Sequence, residues 1–298
     1  MSIFPTKILL ASDSSEHADV AARAAVDLCE ATGSQLHVVH AWRPPTPPGY
    51  TGRPLPTAYD SLYEREAGDL LTAQIKRIEA GGGSVADAHL KRGPAVDEIL
   101  DLREEVDAGL IVAGRRGLSP LKRLVTGSVS DGLARHASCP VLIVDGGGQA
   151  WPPVRIVIGE DFSEEARGAE ELGVTLGRLL GADVRLVSAF PKYPELPQEA
   201  PSRPNVPTTE EALRRLERDL DDLSEELVEK RGQRPQTAVI VGDAAAVIVE
   251  AARGGGPAMI AVGGRSLGAM RRMMLGSVSS DVLRSTDGPV LVYRRPAG

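Results

Sequence analysis

Residues 114–144, GRRGLSPLKRLVTGSVSDGLARHASCPVLIV, return 149 positions later as residues 263–293, GGRSLGAMRRMMLGSVSSDVLRSTDGPVLVY, with 12 of 31 positions identical and no gap. The shared positions include Gly-Ser-Val-Ser, beginning at Gly127 and Gly276, and Pro-Val-Leu, beginning at Pro140 and Pro289. Self-similarity of this kind means one structural unit used twice. The beginnings of the copies agree too, Lys7 to Ala18 reading KILLASDSSEHA and Arg155 to Ala166 reading RIVIGEDFSEEA. The expected domains are residues 1–148 and 149–298, joined near Asp145 to Pro153, where three consecutive glycines (146–148) and Pro152-Pro153 interrupt regular structure.

Size and charge agree with duplication. At about 150 residues per domain, 298 residues make two domains. Residues 1–148 carry 15 Lys/Arg and 19 Asp/Glu, leaving 19 and 22 for the rest, so the halves have charges of −4 and −3 and neither is a charged tail. With 42% hydrophobic and 25% charged residues, the chain fits neither a disordered polymer nor a coiled-coil rod. Only 3% aromatic residues and a net charge of −7 argue against nucleic-acid binding, which needs stacking rings or a basic footprint.

Within a copy, short apolar runs alternate with longer helical patterns. Ile8–Leu10, Leu36–Val39, Leu110–Ala113 and Val141–Val144 read as buried parallel strands. Ser14–Ala31 reads as a helix that stops at Gly33, and Val96–Val106 as another. The alternation predicts an α/β fold of two tandem doubly wound domains, each a five-stranded parallel sheet flanked by helices. In such sheets ligands sit at the carboxyl ends of the strands. Pro-rich loops at Arg43–Pro56 and Pro191–Pro207 follow the second strand of each copy. After the second loop, Thr208 and Glu211 have capping-box spacing, and Leu213, Leu216, Leu220, Leu223 and Leu227 make one apolar stripe. That stripe suits either packing on its own sheet or a coiled-coil partner.

The chemistry is concentrated in Gly114-x2-Gly117-x9-Gly127-Ser128, set between an apolar strand and a helix. Glycines let the backbone approach a ligand, and free N–H groups at a helix start suit a phosphate. The competing reading is a plain strand-to-helix turn with solvated arginines. A second element is the acid after strand one, Asp13 or Asp161. It suits either a ribose hydroxyl or a helix N-cap.

Together these residues resemble the universal stress protein family. The resemblance spans both halves and rests on the acid after strand one, His40-Ala41, Gly93-Pro94, the strand from Asp107 to Gly114, the glycine pattern and the Pro-Val-Leu strand. In that family G-x2-G-x9-G-[ST] marks ATP-binding members. The resemblance implies that Ala11, Asp13 and the Ala41 backbone surround adenine and ribose. It implies that Gly114, Gly117, Gly127, Ser128 and Val129 hold the phosphates and adjoining ribose, with Mg²⁺ or Mn²⁺ optional. The equivalent second-half residues are Gly159, Asp161, Ala189, Gly263, Gly276, Ser277 and Val278. There Ser266 replaces the second glycine, so a weaker site is expected, although Gly264 and Gly268 offer compensation. The family's last strand often pairs domains, so Val141–Val144 and Val290–Tyr293 are expected to pair, with a homodimer beyond.

The leading functional reading is an ATP-binding regulatory protein of the stress response. A slow ATPase or nucleotide hydrolase is the alternative, and a scaffold with degenerate sites a third. No catalytic residue stands out beside the glycines. Five histidines lack HxxxH or HExxH spacing and Cys29 and Cys139 stand far apart, so neither a metal site nor a disulfide framework is expected. With no apolar run of about 18 residues and no signal-peptide pattern at the start, the expectation is a cytoplasmic protein that enters no membrane. The sequence names no protein partner.

Overall fold

The computed structural model describes residues 4–45, 57–115, 128–145, 151–192, 208–264 and 275–295. The first half runs β1 (Lys7–Ala11), α1 (Glu16–Thr32), β2 (Gln35–Trp42), α2 (Thr57–Ala80), β3 (Asp87–Arg92), α3 (Ala95–Val106), β4 (Leu110–Gly114), α4 (Ser128–His136) and β5 (Val141–Val144). The second half repeats it as β6 (Arg155–Gly159), α5 (Glu164–Leu180), β7 (Asp183–Phe190), α6 (Thr209–Arg231), β8 (Gln236–Val241), α7 (Ala244–Ala252), β9 (Ala258–Gly263), α8 (Ser277–Ser285) and β10 (Val290–Tyr293). The Pro-rich stretches 46–56 and 193–207, together with Gly117, Gly127, Ser266 and Gly268, lie outside the described residues.

Both halves have the doubly wound α/β order. The single ten-stranded sheet runs β3-β2-β1-β4-β5-β10-β9-β6-β7-β8. All pairings within a half are parallel, and the halves meet where β5 and β10 pair antiparallel, Leu142 opposite Leu291. The two last strands therefore join as expected, each covering an edge that would otherwise expose its hydrogen-bonding groups.

Strand alternation sorts the core into two layers. Ile8 and Leu10 of β1 pack with Leu28, Leu36 and Leu71 on one face, in a layer continuous with Ile156, Leu186 and Leu220 of the other half. Leu9 and Ala11 pack on the opposite face with Ile99, Leu102 and Leu133. The leucine stripe of α6 faces its own sheet, with Leu220 and Leu227 buried in the first layer. Its start is the capping box of Thr208 and Glu211.

The helix after strand one begins later than expected. Ser15 caps α1 by accepting from the Ala18 N–H, and Ser163 caps α5 by accepting from Ala166. Asp13 and Asp161 are thus not the caps. Each Oδ1 instead accepts from the backbone N–H of the cap residue, at 3.1 Å in both halves. The intervening residues, Ser14 at φ 61° and Phe162 at φ 59°, are left-handed. A side chain in that region is strained unless local bonds hold the turn, and here the Asp side chain does so.

Arginines lock the junction between the halves. Arg115, just after β4, donates to the Leu283 carbonyl and, at 2.7 Å, to that of Gly288, while its Nε lies 3.1 Å from Asp145. In return Arg294, just after β10, donates to the Arg135 carbonyl at 2.9 Å and the Ala137 carbonyl at 3.2 Å. Both arginines are buried. Trp151 adds a third tie, its indole N–H donating to Asp27 of α1 at 2.7 Å.

Candidate functional site

The carboxyl ends of β6, β7 and β9 and the starts of α5, α7 and α8 enclose a cavity of about 350 Å³. This is within the range of small-molecule sites. All seven second-half residues singled out from the sequence line it: Gly159, Asp161, Ala189, Gly263, Gly276, Ser277 and Val278. They come from strands and helix starts up to 119 positions apart, brought together because the strand order reverses between β6 and β9.

Two of its walls are backbone. Gly276 is the N-cap of α8 and supplies no side-chain cap, so the first N–H groups of Ser277 and Val278 are presented at the cavity. With the partial positive charge of a helix start, these donors suit an anionic group. Gly263 lies against the first turn of α5, where an added Cβ would come within 2.8 Å of the Glu165 carbonyl carbon and 2.9 Å of the Ala166 nitrogen. Glycine is needed there for β9 to pass the helix. The Ser279 hydroxyl donates to the Gly263 carbonyl at 2.6 Å and holds α8 to the end of β9.

In the first half, Ala11 and Gly114 end β1 and β4, Ala41 lies one residue from the end of β2, Asp13 forms the turn after β1, and Ser128 and Val129 open α4. These positions match the second-half set element by element. Ser130 donates to the Arg115 carbonyl at 2.9 Å, one residue beyond Gly114, whereas Ser279 donates to Gly263 itself. Gly117 and Gly127 lie outside the described residues, as does Ser266.

Two features escaped the sequence reading. Buried Glu160 lines the cavity where the first copy has Ser12. Burial pushes its carboxyl up to about 7, with the Asp161 charge adding to the shift and the Phe162 N–H, donating at 2.5 Å, opposing it. On α5, buried Glu170 is also pushed up to about 7, by burial first and then by the charge of Glu160. The comparison of Ser12 with Glu160 was a signal available in the sequence, whereas the burial of Glu170 was not. The second feature is the role of His40, which the sequence offered only as part of the His40-Ala41 pair: it is buried, with Nδ1 2.9 Å from the Ser12 carbonyl, tying β2 to the turn after β1. Both cysteines are free, and burial pushes Cys29 up to about 12 and Cys139 to about 11, so neither is a thiolate at neutral pH. No helix among the described residues is long and apolar enough to cross a membrane.

Comparison with known proteins agrees with this repeated architecture. A model of the universal stress protein family matches residues 5–145 and again 154–294. A universal stress protein of Mycolicibacterium smegmatis is 26% identical over 294 residues, 96% of each chain. One of Thermus aquaticus, named for the QAH/OAS sulfhydrylase 3′ region, is 36% identical over 137 residues, covering 46% of this chain and 96% of its own. The crystal structure of a universal stress protein from Archaeoglobus fulgidus superposes with a TM-score of 0.70 at 22% identity, covering 97% of this chain and 96% of the other, a likeness of fold.

Proposed function

Since the chain belongs to the universal stress protein family in both of its halves, we propose that it is an ATP-binding regulatory protein of the stress response. The observation that carries this reading is the second-half cavity, where the open N-terminus of α8 and the Asp161 turn line one space. A triphosphate would lie along the Gly276-Ser277 backbone and a ribose hydroxyl would meet Asp161, with adenine near Ala189. In the first half the same roles fall to Gly114, Gly117, Gly127, Ser128 and Val129 for phosphate, and to Ala11, Asp13 and Ala41 for the nucleoside. Mg²⁺ or Mn²⁺ would accompany the phosphates as an optional charge partner. The units of the proposal are residues 1–148 and 149–298, acting in the cytoplasm with two chains as a homodimer.

Mass spectrometry of ligand released from denatured, purified protein tests the reading: adenine nucleotide near one or two equivalents supports it. Gly127→Val should remove first-half binding, and an undiminished affinity in that variant would sink the phosphate-loop assignment. Calorimetric titration of the parent against Ser266→Gly tests the weaker second site, which the substitution should strengthen. Slow hydrolysis is favoured by one feature, the near-neutral carboxyl of Glu160 in the cavity, which has the pKa of a general base. A turnover assay comparing the parent with Glu160→Gln separates hydrolysis from binding alone.

A further inference from the structure

We propose that His37, Asp87 and His89 form a binding site for a divalent cation of the zinc class, at the opposite end of the first-half sheet from the nucleotide positions. His37 stands near the start of β2, and Asp87 and His89 open β3, the edge strand. The parallel register sets His37 beside Asp87 and Val39 beside His89. Because side chains two apart on a strand share a face, all three point to the same side of the sheet.

Their spacing is that of ligands around one ion. His37 Nδ1 lies 3.2 Å from His89 Nε2, which lies 3.6 Å from Asp87 Oδ2. The donor atoms all fall within 4.8 Å of one another. Tetrahedral coordination at bonds of 2.0–2.1 Å puts neighbouring ligand atoms about 3.3 Å apart. The two imidazole rings lie within 11° of parallel, their centroids 5.5 Å apart. Without an ion, either His37 Nδ1 or His89 Nε2 must carry a proton toward the other.

The donor set names the class of metal. Two imidazole nitrogens and one carboxylate favour Zn²⁺ or Co²⁺ over Mg²⁺ and Ca²⁺, which prefer oxygen shells. His37 is buried and Asp87 exposed, so the fourth position opens to water. Asp87 Oδ1 accepts from the Ala88 N–H at 2.8 Å, which orients the carboxylate. The nearby Lys7 ammonium is held at the Val106 carbonyl, 2.9 Å away. The second half carries an internal control: the residues at the matching register are Arg185, Gln236 and Ala238, none of which makes such a site.

The test is calorimetric titration of the tag-free full chain, stripped with chelator and free of nucleotide, with Zn²⁺. Co²⁺ is added in parallel to read tetrahedral coordination from its visible spectrum. The expected result is one equivalent of Zn²⁺ per chain and tetrahedral Co²⁺ bands. Asp87→Asn and His89→Gln, both at the edge strand, should each weaken binding by about tenfold or more while leaving circular dichroism unchanged. Absence of saturable binding, or affinity in both variants within threefold of the parent, would overturn the site.

Discussion

Glu160 and Gly263 show how much a single position can decide. The Glu160 carboxyl is raised from 4.5 to about 7 in the fold. Between those values the unfolded chain has lost its proton while the folded chain keeps it, so stability falls as pH rises through that window and levels off above it. The span corresponds to about 3 kcal/mol. Glu160→Gln keeps the acceptor for the Phe162 N–H and cannot ionise. Urea melts at pH 5 and pH 8 should therefore show a smaller loss of stability in the variant than in the parent; equal losses would mean that Glu160 titrates normally. At Gly263 the obstacle is backbone, since a Cβ would press on the peptide joining Glu165 to Ala166. Gly263→Ala should cost about 1–3 kcal/mol in denaturant melts and distort the cavity, and an unchanged midpoint would show that α5 can step aside.

At the scale of elements, the junction rests on β5, β10 and their two arginines. Hydrogen bonds between strands as short as Val141–Val144 and Val290–Tyr293 make a narrow seam. Arg115 widens it by spanning from Asp145 to carbonyls at Leu283 and Gly288 of the other half. Its removal takes a cation from beside buried Asp145 and two donors from the carbonyls of Leu283 and Gly288, a change that costs about 3–5 kcal/mol. Arg115→Met is expected to lower stability by that order and to split the unfolding transition seen by calorimetry into two, one per half. A single transition at the parent's temperature would show that the seam alone couples them. Arg115 also follows Gly114 directly, so the start of the glycine pattern and the junction share one stretch of backbone.

For the molecule as a whole, the antiparallel pairing of β5 and β10 gives the two halves a pseudo-twofold relation inside one chain. A half expressed alone would present its last strand as an open edge carrying apolar side chains. Residues 1–148 by themselves should accordingly form a dimer through β5, as sedimentation can measure. A strictly monomeric half at high concentration would mean that β5 pairs only with β10. The outer edges, β3 and β8, differ from this seam in their sequence, and of the two only β3 carries residues of the inferred cation site, Asp87 and His89.

Repetition and strand-helix alternation were readable from the sequence because each is a matter of spacing along the chain, and spacing survives into the fold. The seven second-half residues that line the cavity came from the family resemblance laid over the repeat. Asp13 and Asp161 were recognised, but their role beneath the serine caps was not, because the left-handed residues at Ser14 and Phe162 carry no compositional mark. The leucine stripe of α6 admitted two partners, and only the sheet lying under it chose between them. Burial of Glu160, the reach of Arg115 into the other half and the meeting of His37 with Asp87 and His89 depend on which strands become neighbours. Residues 50 or more positions apart acquire a common dielectric, a common ion pair or a common face only when the sheet order is set, and that order belongs to the tertiary structure.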